Sequence, residues 1–132
     1  LTESPRHANT VQRIKDLLLE LEAKIWENNS ERGILGWKLP AIMTEDGFIV
    51  QYTLDVFARL KTGAVVAVEI DYHYKTTPVA EGKKHRRDGH LMRFGIVTIR
   101  LTPKMVDGMT ASQLQEEIDY WLLGKRPLEA MT

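Results

Sequence analysis

Ala64-Val65-Val66-Ala67-Val68-Glu69-Ile70-Asp71 is the stretch on which the architecture turns. Five apolar residues in a row, rich in valine, predict a central strand covered on both faces. The run then changes character and closes on acid, isoleucine, acid. Side chains alternate along a strand, so Glu69 and Asp71 share one face. Upstream, residues 37–43 and 48–57 read as two further strands, with Glu45-Asp46-Gly47 as the tight turn between them. Lys61-Thr62-Gly63 supplies another turn, and the three strands form an antiparallel meander. The meander puts Asp55, within Leu54-Asp55-Val56-Phe57, beside Glu69.

Helices flank these strands. Val11, Ile14, Leu18, Leu21 and Ile25 recur at three- and four-residue steps and predict an amphipathic helix over residues 10–28. Asn9 or Thr10 caps it, with Gln12 at N3 for Asn9, and Asn28-Asn29-Ser30 with Gly33 ends it. A polar loop over 72–79 leads into a helix over about 80–94, which stops at Gly95. Residues 96–101 form a fourth strand, followed by Pro103. Thr110, with Gln113 at N3, caps a last helix whose apolar face is Leu114, Ile118, Trp121 and Leu122; Gly124 and Pro127 end it. The order is α-β-β-β-α-β-α, an α/β fold with a mixed central sheet that starts as an antiparallel meander. Trp26, Trp37 and Trp121 read as packing residues.

The chain has 132 residues, and its apolar fraction of 43% with 27% charged residues fits one folded domain. The domain spans 1–132, with its core at about 10–122. No cysteine is present, which excludes disulfide frameworks, thiolate metal sites and cysteine catalysis and suits the cytoplasm. No apolar run approaches the roughly 18–20 residues of a membrane span. The first residues, Leu1-Thr2-Glu3-Ser4-Pro5-Arg6, carry neither an initiator Met nor a signal-peptide core, so a domain cut from a longer chain is one expectation. Eighteen basic residues balance eighteen acidic ones, which rules out a uniformly basic nucleic-acid coat. The balance is uneven: residues 83–100 carry a net +5, residues 1–82 a net −3 and residues 104–132 a net −2.

That unevenness has a chemical reading. Asp55, Glu69 and Asp71 at the end of an apolar strand pair repel one another and are costly to desolvate without a cation between them. Hard oxygen donors without His/Cys spacing point to Mg²⁺ or Mn²⁺ rather than zinc. On the following helix Ala80, Lys84, Arg87, Leu91 and Phe94 fall on one stripe, with Leu91 and Phe94 as core contacts and Lys84 and Arg87 aimed at the sheet. Lys83 and Arg86 point outward. Cations beside clustered carboxylates suit a phosphodiester straddling a metal. The plainer alternative is a set of strand-end acids that face solvent or pair with Lys and Arg. His73, His85 and His90 are candidates for a general base or ligand, and Tyr72 and Tyr74 for stacking on bases.

The ordered set Leu54-Asp55-Val56, Val68-Glu69-Ile70-Asp71-Tyr72, Arg87-Asp88-Gly89-His90-Leu91 and Gly95-Ile96-Val97-Thr98-Ile99-Arg100 resembles the PD-(D/E)XK restriction-endonuclease-like superfamily. It is most similar to the very-short-patch-repair-endonuclease-like branch. The resemblance covers residues 10–122 and implies a three-layer restriction-endonuclease-like core with Mg²⁺- or Mn²⁺-dependent hydrolysis of DNA. It implies Asp55 and Glu69, with the Ile70 carbonyl, as metal ligands, and Asp71, Lys75, Lys84 and His73 as further catalytic residues. Lys83, Arg86, Arg87, Tyr72 and Tyr74 would then contact nucleic acid. The chain departs from the pattern at Asp71, which replaces the superfamily lysine, and at Tyr72, where the branch has Gly. It departs also at Lys75, where the branch has His, and at Gln12, where an early helical acid is common. The alternatives are a degenerate nucleic-acid-binding module of the same fold, or an accessory domain in a larger assembly. A homodimer is a further expectation, since such nucleases often pair to cut both strands.

Overall fold

The computed structural model describes residues 4–27, 36–72 and 77–123. In chain order these form α1 (Pro5–Glu20), β1 (Lys24–Trp26), β2 (Trp37–Lys38), β3 (Ile42–Met43), β4 (Ile49–Val50), β5 (Thr53–Leu54), β6 (Val56–Arg59), β7 (Val65–Ile70), α2 (Pro78–Met92), β8 (Ile96–Leu101), α3 (Pro103–Asp107) and α4 (Ala111–Leu122). The main sheet runs β1-β6-β7-β8. β1 and β7 both pair antiparallel with β6, and β8 lies parallel to β7 after the α2 crossover. The valine-rich β7 is thus central, as its continuous apolar run predicts.

Helices cover both faces. On one, Val11, Ile14, Leu17 and Leu18 of α1 and Leu114 and Ile118 of α4 pack on Val56, Val66, Val68, Ile99 and Leu101. On the other, Leu91 of α2 packs with Leu54, Phe57, Ala67 and Ile96. The result is a mixed α/β fold in three layers. Among the described residues no helix is long and apolar enough to cross a membrane.

The first helix differs from expectation at both ends. It starts at Pro5, with Ser4 as N-cap accepting from the His7 N–H, while Thr10 sits inside it and bonds back to the Arg6 carbonyl. Ser before Pro is a strong start signal, because proline at N1 has its φ already set and lacks only an N–H that would be unpaired. The helix ends at Glu20, where Glu22 turns left-handed at φ 63° and Ala23 N–H returns to the Leu18 carbonyl. Ile25, which extended the helical spacing, belongs instead to β1. Trp26 stacks on Phe57 with ring centroids 4.2 Å apart, and this packing holds the segment as a strand. The proposed end at 28–33 lies outside the described residues.

β1 therefore takes the sheet edge that the sequence assigned to residues 37–43. That segment and residues 48–54 form a separate two-stranded ribbon. The Glu45-Asp46-Gly47 turn is as expected, with Gly47 at φ 86° and Thr44 N–H donating to the Phe48 carbonyl at 2.7 Å. The ribbon is interrupted because its register slips by one residue between Lys38↔Thr53 and Ile42↔Val50. Pro40, which cannot donate to a ladder, sits in the slip. A second break falls at Asp55, where Leu54 packs toward α2 and Val56 toward α1. Phe94 also departs from expectation. It lies past the end of α2 and is 62% exposed, so Leu91 alone of that pair is core.

The last helix has the expected capping box, with Thr110 Oγ accepting from Gln113 N–H and the Gln113 side chain accepting from Thr110 N–H. Thr110→Ala is expected to lower stability by about 1 kcal/mol, read by urea unfolding with an unchanged m-value.

Candidate active site

Asp55 stands one step beyond the last β6–β7 pair, Val56↔Val68, which sets it across from Glu69. The two acids are tied through main-chain N–H groups of Asp55 and Ile70. Asp55 N–H donates to Glu69 Oε2 at 2.6 Å, and Ile70 N–H donates to Asp55 Oδ2 at 2.9 Å. Glu69 is only 4% exposed. Burial first, and then the Asp55 charge, raise its carboxyl to about 7, against the pull of Arg87 in the other direction.

α2 brings the cations. Thr77 caps it by accepting from Ala80 N–H, and Pro78 begins it. Lys84 Nζ lies 3.2 Å from both Asp71 oxygens and 3.3 Å from Glu81 Oε1. One turn on, the Arg87 guanidinium pairs with Glu69 Oε1 and donates to the Thr53 carbonyl at 2.8 Å. It also lies 5.5 Å from the centre of the Tyr52 ring, and the Tyr52 hydroxyl is 2.6 Å from His90 Nδ1. Arg100, beside Glu69 in the β7–β8 register, holds Asp88 through two bonds of 2.7 and 3.2 Å.

From the opposite layer comes a residue that the sequence did not single out. His7 of α1 is buried, its Nδ1 2.7 Å from the Tyr72 hydroxyl and its Nε2 3.4 Å from Asp55 Oδ1. A ring protonated on Nε2 accepts from Tyr72 and presents N–H toward Asp55. The signal for it was Ser4-Pro5: a helix started there puts His7 on the buried stripe with Val11, Ile14 and Leu18. Tyr52 was missed too, because its role depends on a ribbon folding onto α2.

Asp55, Glu69, Asp71, Lys84 and Arg87 thus gather at one end of β7, and Ile70 lies in the same strand end. His85 is exposed on α2, and Lys83 and Arg86, expected to point outward, are exposed but face the 37–54 ribbon across a cleft. Tyr72 is half-buried against His7. Gln12 is exposed and donates to Asp16 at 2.9 Å, away from the helix start it was expected to cap. His73, Tyr74 and Lys75 lie outside the described residues.

The family implied by the sequence uses a divalent cation. Among the described residues no group of three or more His, Asp or Glu side chains is arranged to hold a metal. Asp55 and Glu69 are the two side chains that would hold such an ion. That number fits Mg²⁺, which takes one or two carboxylates and fills its other positions with water and substrate phosphate. The raised carboxyl of Glu69 is the electrostatic counterpart: a buried acid beside a second acid is relieved by a cation.

A scan against protein-family models finds no match, and a search of curated proteins finds none. Among solved structures the chain is similar to a VRR_NUC domain, with 16% identity, a TM-score of 0.44 and a match probability of 1.00. That alignment covers 79% of this chain and 92% of the other. A likeness of this degree carries no statement about activity.

Proposed function

We propose that the protein is a metal-dependent endonuclease or nickase acting on DNA. The observation that carries the proposal is the pair of hydrogen bonds that sets Asp55 beside Glu69, from Asp55 N–H to Glu69 and from Ile70 N–H to Asp55. It holds two carboxylates together, one of them deeply buried, with Lys84 and Arg87 beside them. Asp55 and Glu69 would hold Mg²⁺ or Mn²⁺, and the ion would supply Lewis acidity at the scissile phosphate. Lys84 and Arg87 offer donors to the phosphate oxygens as negative charge grows on them. Tyr72 orients the His7 ring, whose Nε2 lies 3.4 Å from the Asp55 carboxylate.

One observation favours a second reading. The Arg87 guanidinium rests on Glu69. A site that keeps its arginine there permanently is a binding module without chemistry. Plasmid nicking separates the two. Wild type with Mg²⁺ or Mn²⁺ is expected to convert supercoiled to open-circular DNA, and Asp55→Asn to do so at least about a hundredfold more slowly. Equal conversion by both proteins, or none by either with any divalent ion, removes the nuclease assignment.

A further inference from the structure

Between the 37–54 ribbon and α2 lies a cleft of about 600 Å³, lined by one acid, Asp46, and joined to the acid cluster through Lys84 and Arg87, which pair with Asp71 and Glu69. Its ribbon wall presents Phe48 and Tyr52, and its helix wall presents Lys83, Arg86 and Arg87. The two walls differ in chemistry. Phe48 is 67% exposed, a large ring left in water at the ribbon. Tyr52 is held rigid by His90 and by the guanidinium over its ring. Across from them, Lys83 and Arg86 sit three residues apart on one side of α2 and make no ion pair among the described residues. Lys84, Arg87 and Arg100 are occupied by Asp71, Glu69 and Asp88, so Lys83 and Arg86 are the positive charges available to a ligand here.

We propose that this cleft receives one unpaired nucleotide of the DNA substrate, its base against Phe48 and Tyr52 and its flanking phosphates against Lys83 and Arg86. The proposal rests on the nuclease reading and adds the shape of the substrate. A base within a duplex has both faces covered by its neighbours and cannot reach side chains in a cleft; an unpaired one can leave the stack at little cost. The volume is that of a small-molecule site and far short of a duplex. Aromatic rings on one wall and cations on the other match the two parts of a nucleotide. Arg87 lines the cleft and touches Glu69, so a nucleotide seated there sets its phosphate beside the carboxylate pair.

The test is equilibrium binding in EDTA, followed by fluorescence anisotropy, with two labelled short duplexes. One is fully paired and the other carries a single unpaired nucleotide. Wild type is expected to bind the second about tenfold more tightly. Phe48→Ala, at an exposed position that leaves the core intact, is expected to lose most of that preference and keep its affinity for the paired duplex. Lys83→Ala/Arg86→Ala is expected to weaken both and to flatten the salt dependence. Equal wild-type affinity for the two duplexes overturns the proposal, as does full preference in Phe48→Ala. Because no metal is present, the result is independent of cleavage. Preference without nicking activity supports the cleft and removes the nuclease; nicking without preference does the reverse.

Discussion

Glu69→Gln is expected to lose cleavage and gain stability, both at alkaline pH. On the proposed function the loss follows from removing one of the two carboxylates that would hold the metal, and it should exceed the roughly tenfold to hundredfold typical of residues that only orient a ligand. The gain follows from the position of Glu69. An unfolded Glu ionises near 4.5, and this one near 7. Between those values the folded chain holds a proton that the unfolded chain has lost, so stability falls as pH rises, and the loss is complete above 7. The ionised, buried carboxylate then costs up to about 3 kcal/mol, which the amide avoids. Thermal melts of wild type and Glu69→Gln at pH 5 and pH 8 check this. The variant should melt higher at pH 8 and nearly together with wild type at pH 5. Added Mg²⁺ should raise the wild-type melting temperature at pH 8 and leave the variant unmoved. A variant less stable than wild type at pH 8 would show that Glu69 is a structural ion-pair partner.

Arg87→Ala is expected to act in the opposite sense. It strips the cation from a buried carboxylate and leaves the charge uncompensated, at a cost of about 3 kcal/mol above pH 7. Below pH 5 Glu69 carries a proton in either protein, and the cost should shrink to the lost packing on Tyr52. Urea unfolding at the two pH values measures the difference. Arg87→Lys should recover only part of it, because an ammonium cannot serve Glu69, the Thr53 carbonyl and the Tyr52 face together. A pH-independent loss would place the worth of Arg87 in packing alone.

The central layer was legible because its signals are local. An apolar run names β7, Asp-Gly names the ribbon turn, and Thr-x-x-Gln names the start of α4, while α2 begins at Pro78, two residues before the expected 80. The shared face of Glu69 and Asp71, and the inward aim of Lys84 and Arg87, follow from periods of two and of three to four residues. What failed depends on partners distant in sequence. Ile25 fits a helix by spacing, and the pairing with β6 makes it a strand residue. Phe94 fits the α2 stripe, and the helix ends before reaching it. Nothing local to residues 48–57 announces that the chain changes faces at Asp55. His7 lay hidden behind a helix start placed five residues too late.

The connection between β7 and β8 bears on how the site comes into being. Asp55 and Glu69 sit on an antiparallel hairpin closed by a short turn, a local contact that is cheap in chain entropy. The cations that face them arrive only with the long parallel crossover through α2, the slower kind of closure. Docking of α2 is therefore the step that sets Lys84 and Arg87 against the acids, and hydrogen exchange on α2 and β8 reports how often a folded molecule undoes it.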